Sequence, residues 1–368
     1  MVSRMKNGAG QQRGSALPPW MMGLLSLFLA ASVGGCGPTK QQKQGAELYG
    51  RMCAVCHGPG GEGYKADQAP ALRDPQYLAS STDAFLREAI AAGRLGSTMS
   101  AWGRQSGGPL TPPEVDALIA FMRRWQGKKT VTLDERAASG DRGRGSQLYF
   151  QECVKCHGAR GLEGPNARLR NAGFLANASN GFLRLAIRDG RAGTAMLPFA
   201  AKLGDQGVED LLAFIRNWTP LPPTPPTPAP PPDPPPIPLG KVTLNPRGPA
   251  PVGFKATPDV TPAAVIKAQL DRGARMAILD ARAPSDYLAE HVAGAVSVPF
   301  YDPAPYFDKL PKDVWLVCYC ACPHAESGQL AEKLKAKGFT KVTVLDEGLG
   351  FWRAQKYGTV LATDIKKP

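Results

Sequence analysis

The chain has 368 residues, 43% of them apolar and 20% charged, which suits two or three globular domains and excludes a fibrous or wholly disordered protein. A net charge of +13 raises the question of nucleic acid, but the charge is spread. Residues 45–126 carry equal numbers of acidic and basic side chains, 143–219 come to about +4 and 255–368 to about +2, with no Lys/Arg stripe interleaved with aromatics of the kind nucleic-acid binding needs.

The first 35 residues read as an export signal. Arg4, Lys6 and Arg13 form a basic head, and Trp20 to Val33 is an apolar run. That run is short for a spanning helix, which needs about 20 residues. It ends in Val33-Gly34-Gly35-Cys36, which resembles a bacterial lipobox, so Cys36 is the candidate for lipidation. An ordinary cleaved signal peptide is the alternative. Gly37 in place of Asp after the cysteine does not favour inner-membrane retention. The expected location is the periplasmic side of a bacterial cell envelope, lipid-anchored to a membrane.

Next comes Cys53-Ala54-Val55-Cys56-His57, repeated as Cys153-Val154-Lys155-Cys156-His157. The C-x-x-C-H pattern marks c-type haem attachment. Two thiols on one turn can form thioethers to two vinyl groups, and the adjacent imidazole meets the iron. A single copy also suits a redox dithiol or half a zinc site, but two copies in matching surroundings argue for haem. Gly45-Ala46-Glu47-Leu48-Tyr49 leads into the first motif and Gly145-Ser146-Gln147-Leu148-Tyr149 into the second. Phe85 to Ile90 matches Phe182 to Ile187, each with a helical apolar stripe, followed by Gly93 and Gly190 as stops. Val115 to Trp125 and Val208 to Trp218 predict closing amphipathic helices. This is an internal duplication.

On these residues, 45–126 and 143–219 each resemble a class I cytochrome c domain, an all-α fold around one haem. The resemblance implies two covalently bound haem c groups. Cys53, Cys56, Cys153 and Cys156 would supply the thioethers, and His57 and His157 the proximal ligands. Met99 and Met196, aligned without gaps, would be the distal ligands; Met52 and Met122 are poorer candidates. His/Met ligation raises the potential relative to two imidazoles and leaves no open position, so the implied work is one-electron transfer. Family members often use a Pro carbonyl to hold the proximal His. Pro70 fits that role, and Ala167 is its counterpart, a difference expected to give the two haems different potentials.

Residues 127–142 form a short polar connector. The run from Pro220 to Pro238, within a linker over 220–240, is dominated by Pro. It predicts a semi-rigid polyproline II spacer of roughly 55–60 Å, at about 3.1 Å per residue. A third domain on such a tether need not pack on the first two.

From Lys255 to about residue 362 short apolar strands alternate with helices, which predicts an α/β domain with a parallel sheet. The strands are Ala277-Ile278-Leu279, Val296-Ser297-Val298, Val314 to Val317 and Val342 to Leu345, with a helix from about Ser327 to Lys337. Leu279-Asp280-Ala281-Arg282, Asp286-Tyr287, His291, Gly294-Ala295 and Glu347 to Trp352 resemble the rhodanese family. There a Cys at the end of the central strand carries sulfane sulfur as a persulfide, and Cys320 stands at that place. Glu326 replaces the family's Arg, and its carboxylate is expected to repel anionic thiosulfate. Cys318, Cys322 and His324 admit alternatives: Cys320/Cys322 thiol–disulfide exchange, a metal site, or an inactive module. His291 reads as a structural contact.

The fold class expected is therefore multidomain: two all-α cytochrome c domains and one α/β rhodanese-like domain, joined by the Pro-rich linker. The expected function is electron transfer between redox partner proteins of the envelope, with a persulfide on Cys320 handling small sulfur compounds. The alternative is an electron shuttle whose third domain is an inactive binding or redox-sensing module.

Overall fold

The computed structural model describes residues 37–66, 69–94, 97–218, 239, 241–321 and 324–361. The signal segment, Cys36, the Pro-rich run 220–238 and Cys322 lie outside the described residues. Among the described residues no helix is long and apolar enough to cross a membrane.

Two helical domains repeat one plan. The first comprises α1 (Lys40–Met52), α2 (Ala54–His57), α3 (Pro75–Ser80), α4 (Asp83–Ala91) and α5 (Pro112–Met122). The second comprises α6 (Arg142–Glu152), α7 (Val154–His157), α8 (Ala172–Asn177), α9 (Asn180–Asp189) and α10 (Ala200–Arg216). Their caps correspond. Asp74 and Asn171 accept from the backbone amides of Tyr77 and Phe174, and Thr82 and Ser179 from those of Phe85 and Phe182. The six-residue α3 and α8 are too short for a periodic signal, so only their caps mark them.

The opening helix of each domain crosses the closing helix at backbone contact. A Cβ on Gly45 would lie 1.9 Å from the Ala117 carbonyl oxygen, and one on Gly145 would lie 2.0 Å from that of Asp210. Only glycine permits this approach. Beside the crossing Tyr49 meets Trp125 edge-on at 5.1 Å, and Tyr149 meets Trp218 at 5.2 Å. The closing helices begin earlier than the aromatic pattern suggests. Gly204, with φ +63°, kinks the second of them into two pieces.

The two copies pack through one aromatic cluster, with Phe85 and Phe182 5.1 Å apart and Tyr77 and Phe174 each edge-on to the other copy's phenylalanine. The 127–142 connector is pinned rather than loose. Val131 donates to the Ala79 carbonyl at 3.1 Å, while the Glu135 carboxylate accepts from the Ser179 hydroxyl at 2.6 Å and the Gly181 amide at 2.9 Å.

The third domain runs β1 (Val260–Thr261), α11 (Ala263–Asp271), β2 (Met276–Asp280), α12 (Pro284–Ala289), β3 (Glu290–Val292), β4 (Val296–Ser297), β5 (Trp315–Tyr319), α13 (Ala325–Ala336), β6 (Val342–Leu345), α14 (Gly348–Ala354) and β7 (Thr359–Leu361). A five-stranded, all-parallel sheet has the order β1-β6-β5-β2-β4, and β3 and β7 form a separate antiparallel pair. All of β2 is buried, as parallel strands covered on both faces require. The chain joins this domain before Lys255: Leu244 and Met276 exchange backbone hydrogen bonds at 2.8 and 3.3 Å.

The Pro-rich tether leaves docking of the third domain open, and in the structure that domain packs on the first cytochrome-like copy. Ser100 donates to Asp286 at 2.5 Å, Ser285 donates to the Ala101 carbonyl at 2.7 Å, and Trp102 meets Tyr301 edge-on at 5.6 Å. Hydrogen bonds and an aromatic contact between residues almost 200 positions apart leave no periodic trace.

Candidate functional site: a cavity shared by both C-x-x-C-H motifs

Each C-x-x-C-H sequence folds as a single helical turn after its opening helix ends at the first cysteine. The turn is held by a tyrosine from the preceding helix: Tyr49 donates to the Gly58 carbonyl and Tyr149 to that of Gly158, both at 2.7 Å. The Nδ1 atoms of His57 and His157 lie 2.9 Å from the carbonyl oxygens of Pro70 and Ala167. A carbonyl only accepts, so each Nδ1 carries the proton and each Nε2 keeps its lone pair. Burial pushes both imidazoles below their usual range, which favours the neutral form a metal ligand needs.

Here the expected difference between the copies disappears. The bond comes from a backbone carbonyl, and Ala167 supplies it at the same distance as Pro70. The Pro-to-Ala change therefore gives no ground for unequal haem potentials.

One cavity of about 630 Å³ collects Cys53, Cys56, His57 and Met99 from the first copy and Cys153, Cys156, His157 and Met196 from the second. Met52 and Met122 also border it, but as 5% and 3% exposed core residues. Burial pushes the Cys53 and Cys153 thiols up to about 12. They are protonated at neutral pH, which argues against a reactive redox dithiol. Paired thiols, an imidazole lone pair and a thioether around an apolar space fit an iron macrocycle bearing two vinyl groups.

The third domain's candidate site adjoins this cavity. Cys320 follows β5 and is fully buried, with its Sγ 3.2 Å from the Ser327 hydroxyl in α13. Glu326, in the first turn of α13, borders the haem-motif cavity itself. Burial holds its carboxyl well above the usual range, with the neighbouring Cys320 and Asp286 adding to the shift and Arg282 opposing it. That shift favours the neutral form of Glu326, which weakens the expected repulsion of thiosulfate by a carboxylate.

The other residues singled out in this domain make contacts within its own fold. Arg282 and Asp280 form a buried pair at 2.6 Å, to which Tyr319 also donates at 2.6 Å. His291 stacks on Tyr287 at 4.0 Å and bonds to its carbonyl. Cys318 sits within β5, opposite Leu279 and Val344, and burial raises its thiol. His324 turns to Asp346 at 2.8 Å. Among the described residues no three His, Cys, Asp or Glu side chains meet to hold a metal.

Two residues escaped sequence reasoning. Arg94 and Arg191 each follow the glycine that stops a repeated helix, and both border the cavity. Their aligned Gly-Arg pairs were the available signal.

Residues 40–122 and 140–215 match the family model for the cbb3-type cytochrome c oxidase, subunit III, and residues 262–355 match that of the rhodanese-like domain. The cbb3-type cytochrome c oxidase subunit CcoP of an Azospirillum species is 28% identical over 191 residues, covering 47% of this chain and 60% of that protein. Subunit FixP of Bradyrhizobium diazoefficiens is 35% identical over 86 residues, 23% of this chain and 28% of that protein. A solved rhodanese-like domain from Anabaena is 30% identical, covering 30% of this chain and 83% of that one, with a TM-score of 0.27. The chain spans about 60% of the length of the first curated relatives it matches. The chain is thus multidomain, with helical domains similar to cbb3-type cytochrome c domains, a likeness that implies covalently bound haem c, and an α/β domain similar to rhodanese-like domains.

Proposed function

We propose that this chain is an exported dihaem electron carrier whose docked rhodanese-like domain handles sulfane sulfur on Cys320. Cys53, Cys56, Cys153 and Cys156 hold the two haem groups, with His57/Met99 and His157/Met196 as axial ligands, and Cys36 carries the lipid anchor at the periplasmic side of a membrane. Bound haem supplies reversible one-electron chemistry. The chain's own residues orient each proximal imidazole through a carbonyl, exclude water from the shared cavity and place Glu326 beside Cys320. The partners are redox proteins of the cell envelope and small sulfur compounds.

The observation that carries this reading is the shared wall: Glu326 of the Cys320 loop borders the cavity that collects both C-x-x-C-H motifs. The complete burial of Cys320 favours a second reading, in which the third domain is an inactive binding or redox-sensing module on an electron shuttle. Sulfide added to the oxidised protein separates the two. In the sulfur-handling reading the Cys320 thiol and sulfide join as a persulfide, releasing two protons and two electrons, one for each haem, so haem reduction is expected together with a 32-Da mass increment, a sulfur atom, on Cys320. Equal haem reduction in Cys320→Ala sinks it and leaves the shuttle.

A further inference from the structure

The cavity contains an unresolved electrostatic problem. Arg94 Nη1 and Arg191 Nη2 are buried and have no hydrogen-bond partner among the described residues. Neither guanidinium forms an ion pair among those residues; Arg191 has only a long 3.4 Å contact from Nη1 to the Ser80 hydroxyl. Burial pushes both guanidinium groups below their usual range. Asp74 and Asp189 act on Arg191 and Glu88 on Arg94 through space, but none of them bonds to either guanidinium among the described residues. A buried cation is costly unless it is paired and hydrogen-bonded, so the unbonded Nη atoms at two equivalent positions call for a bonded anionic partner.

Their placement crosses the domain boundary. The Arg94 guanidinium lies 5.1 Å from the ring of Phe85 in its own copy and 6.0 Å from Phe174 in the other. Arg191 lies 4.8 Å from Phe182 in its own copy and 5.8 Å from Tyr77 in the other. The arrangement is an approximate two-fold: each cation is held between one ring from each domain. Each arginine also donates its backbone amide to the carbonyl of the distal-ligand candidate, Arg94 to Met99 at 2.9 Å and Arg191 to Met196 at 2.8 Å. These cation–π contacts hold the two guanidinium groups beside the rings, and the unbonded Arg94 Nη1 and Arg191 Nη2 are left for a carboxylate.

We propose that Arg94 and Arg191 form one carboxylate-binding site at the junction of the two cytochrome domains, which receives propionates of both haems and couples their electrostatics. The proposal rests on the reading that both C-x-x-C-H motifs carry haem. A cation near a redox centre favours the form with the extra electron, so each arginine raises both potentials. Loss of one charge at an effective dielectric constant of about 20 weakens reduction by about tenfold, equivalent to 59 mV in a one-electron couple.

The test is a potentiometric titration of the full haem-loaded chain, resolved into two one-electron components. Arg94→Gln and Arg191→Gln are each expected to lower both midpoints, and Arg94→Lys and Arg191→Lys to lower them less. A Gln variant that loads haem normally but moves one midpoint, or neither, overturns the shared site. If the Gln variants lose haem, the Lys variants decide: both midpoints must fall in each. Mass spectrometry distinguishes the underlying failure. One haem per chain defeats the dihaem reading, whereas two haems with unmoved midpoints defeat this inference alone.

Discussion

Ser100, the residue after Met99, donates its hydroxyl to the Asp286 carboxyl group at 2.5 Å, tying the distal-ligand loop of the first cytochrome domain to the rhodanese-like domain. Asp286 belongs to the rhodanese-like signature, and Ser285 beside it returns a bond to the Ala101 carbonyl. The loop proposed to hold one iron and the helix that follows the Asp280–Arg282 pair thus form one interface. An intramolecular hydrogen bond contributes about 0.5–1.5 kcal/mol net. Ser100→Ala should therefore loosen the interface and speed alkylation of buried Cys320 by about two- to tenfold. Peptide mapping of the alkylated protein checks this; an unchanged Cys320 rate means the contact does not hold the domains together.

Docking should weaken as pH rises. Burial lifts the carboxyls of Asp286 and Glu326 above their usual ranges; Arg282 opposes both shifts, and the Ser100 bond also opposes that of Asp286. Ordinary values are about 3.9 for Asp and 4.3 for Glu. Groups with raised values in the docked state support docking fully below those ordinary values and lose that support as pH rises through the raised ones. Small-angle scattering should show the radius of gyration growing with pH, and Glu326→Gln should flatten the curve. A radius that shrinks with pH contradicts the sign.

The two helix crossings predict opposite outcomes for glycines in the same helix. Gly45→Ala places a methyl group 1.9 Å from a backbone oxygen of α5, so the helices must separate. The expected loss is about 1–3 kcal/mol in urea unfolding. Gly50→Ala, with nothing within 4 Å of its new Cβ, should gain about 0.4–1 kcal/mol. Equal effects at the two positions would falsify the crossing as the reason for Gly45.

Much of the cytochrome pair is legible in the sequence because its constraints are local. C-x-x-C-H needs one turn, the Phe85 and Phe182 stripes need one helix face, and Gly45 and Gly145 mark one crossing each. The strands β2, β5 and β6 show as apolar runs because a covered parallel sheet buries both faces. What stays hidden is made by separate segments. The Trp102–Tyr301 and Ser100–Asp286 contacts pair residues that share no pattern. The roles of Arg94 and Arg191 depend on rings supplied by the opposite copy. The charge of Glu326 depends on burial, which a sequence letter does not carry.

If the two potentials differ, the cause lies in coverage of the distal loops. Both proximal bonds measure 2.9 Å, so the proximal side offers no distinction. On the distal side Ser100 and Trp102 are buried under the third domain, whereas Leu197, the counterpart of Ser100, is 63% exposed. Solvent stabilises the more highly charged oxidised centre, so the covered haem should have the higher potential. Tyr301→Ala removes the ring that meets Trp102 from the rhodanese-like side and leaves both cytochrome domains intact in sequence. It should lower one midpoint and leave the other in place, in contrast to the paired shifts expected from Arg94 and Arg191. A titration in which Tyr301→Ala moves both midpoints equally removes coverage as the source of the difference.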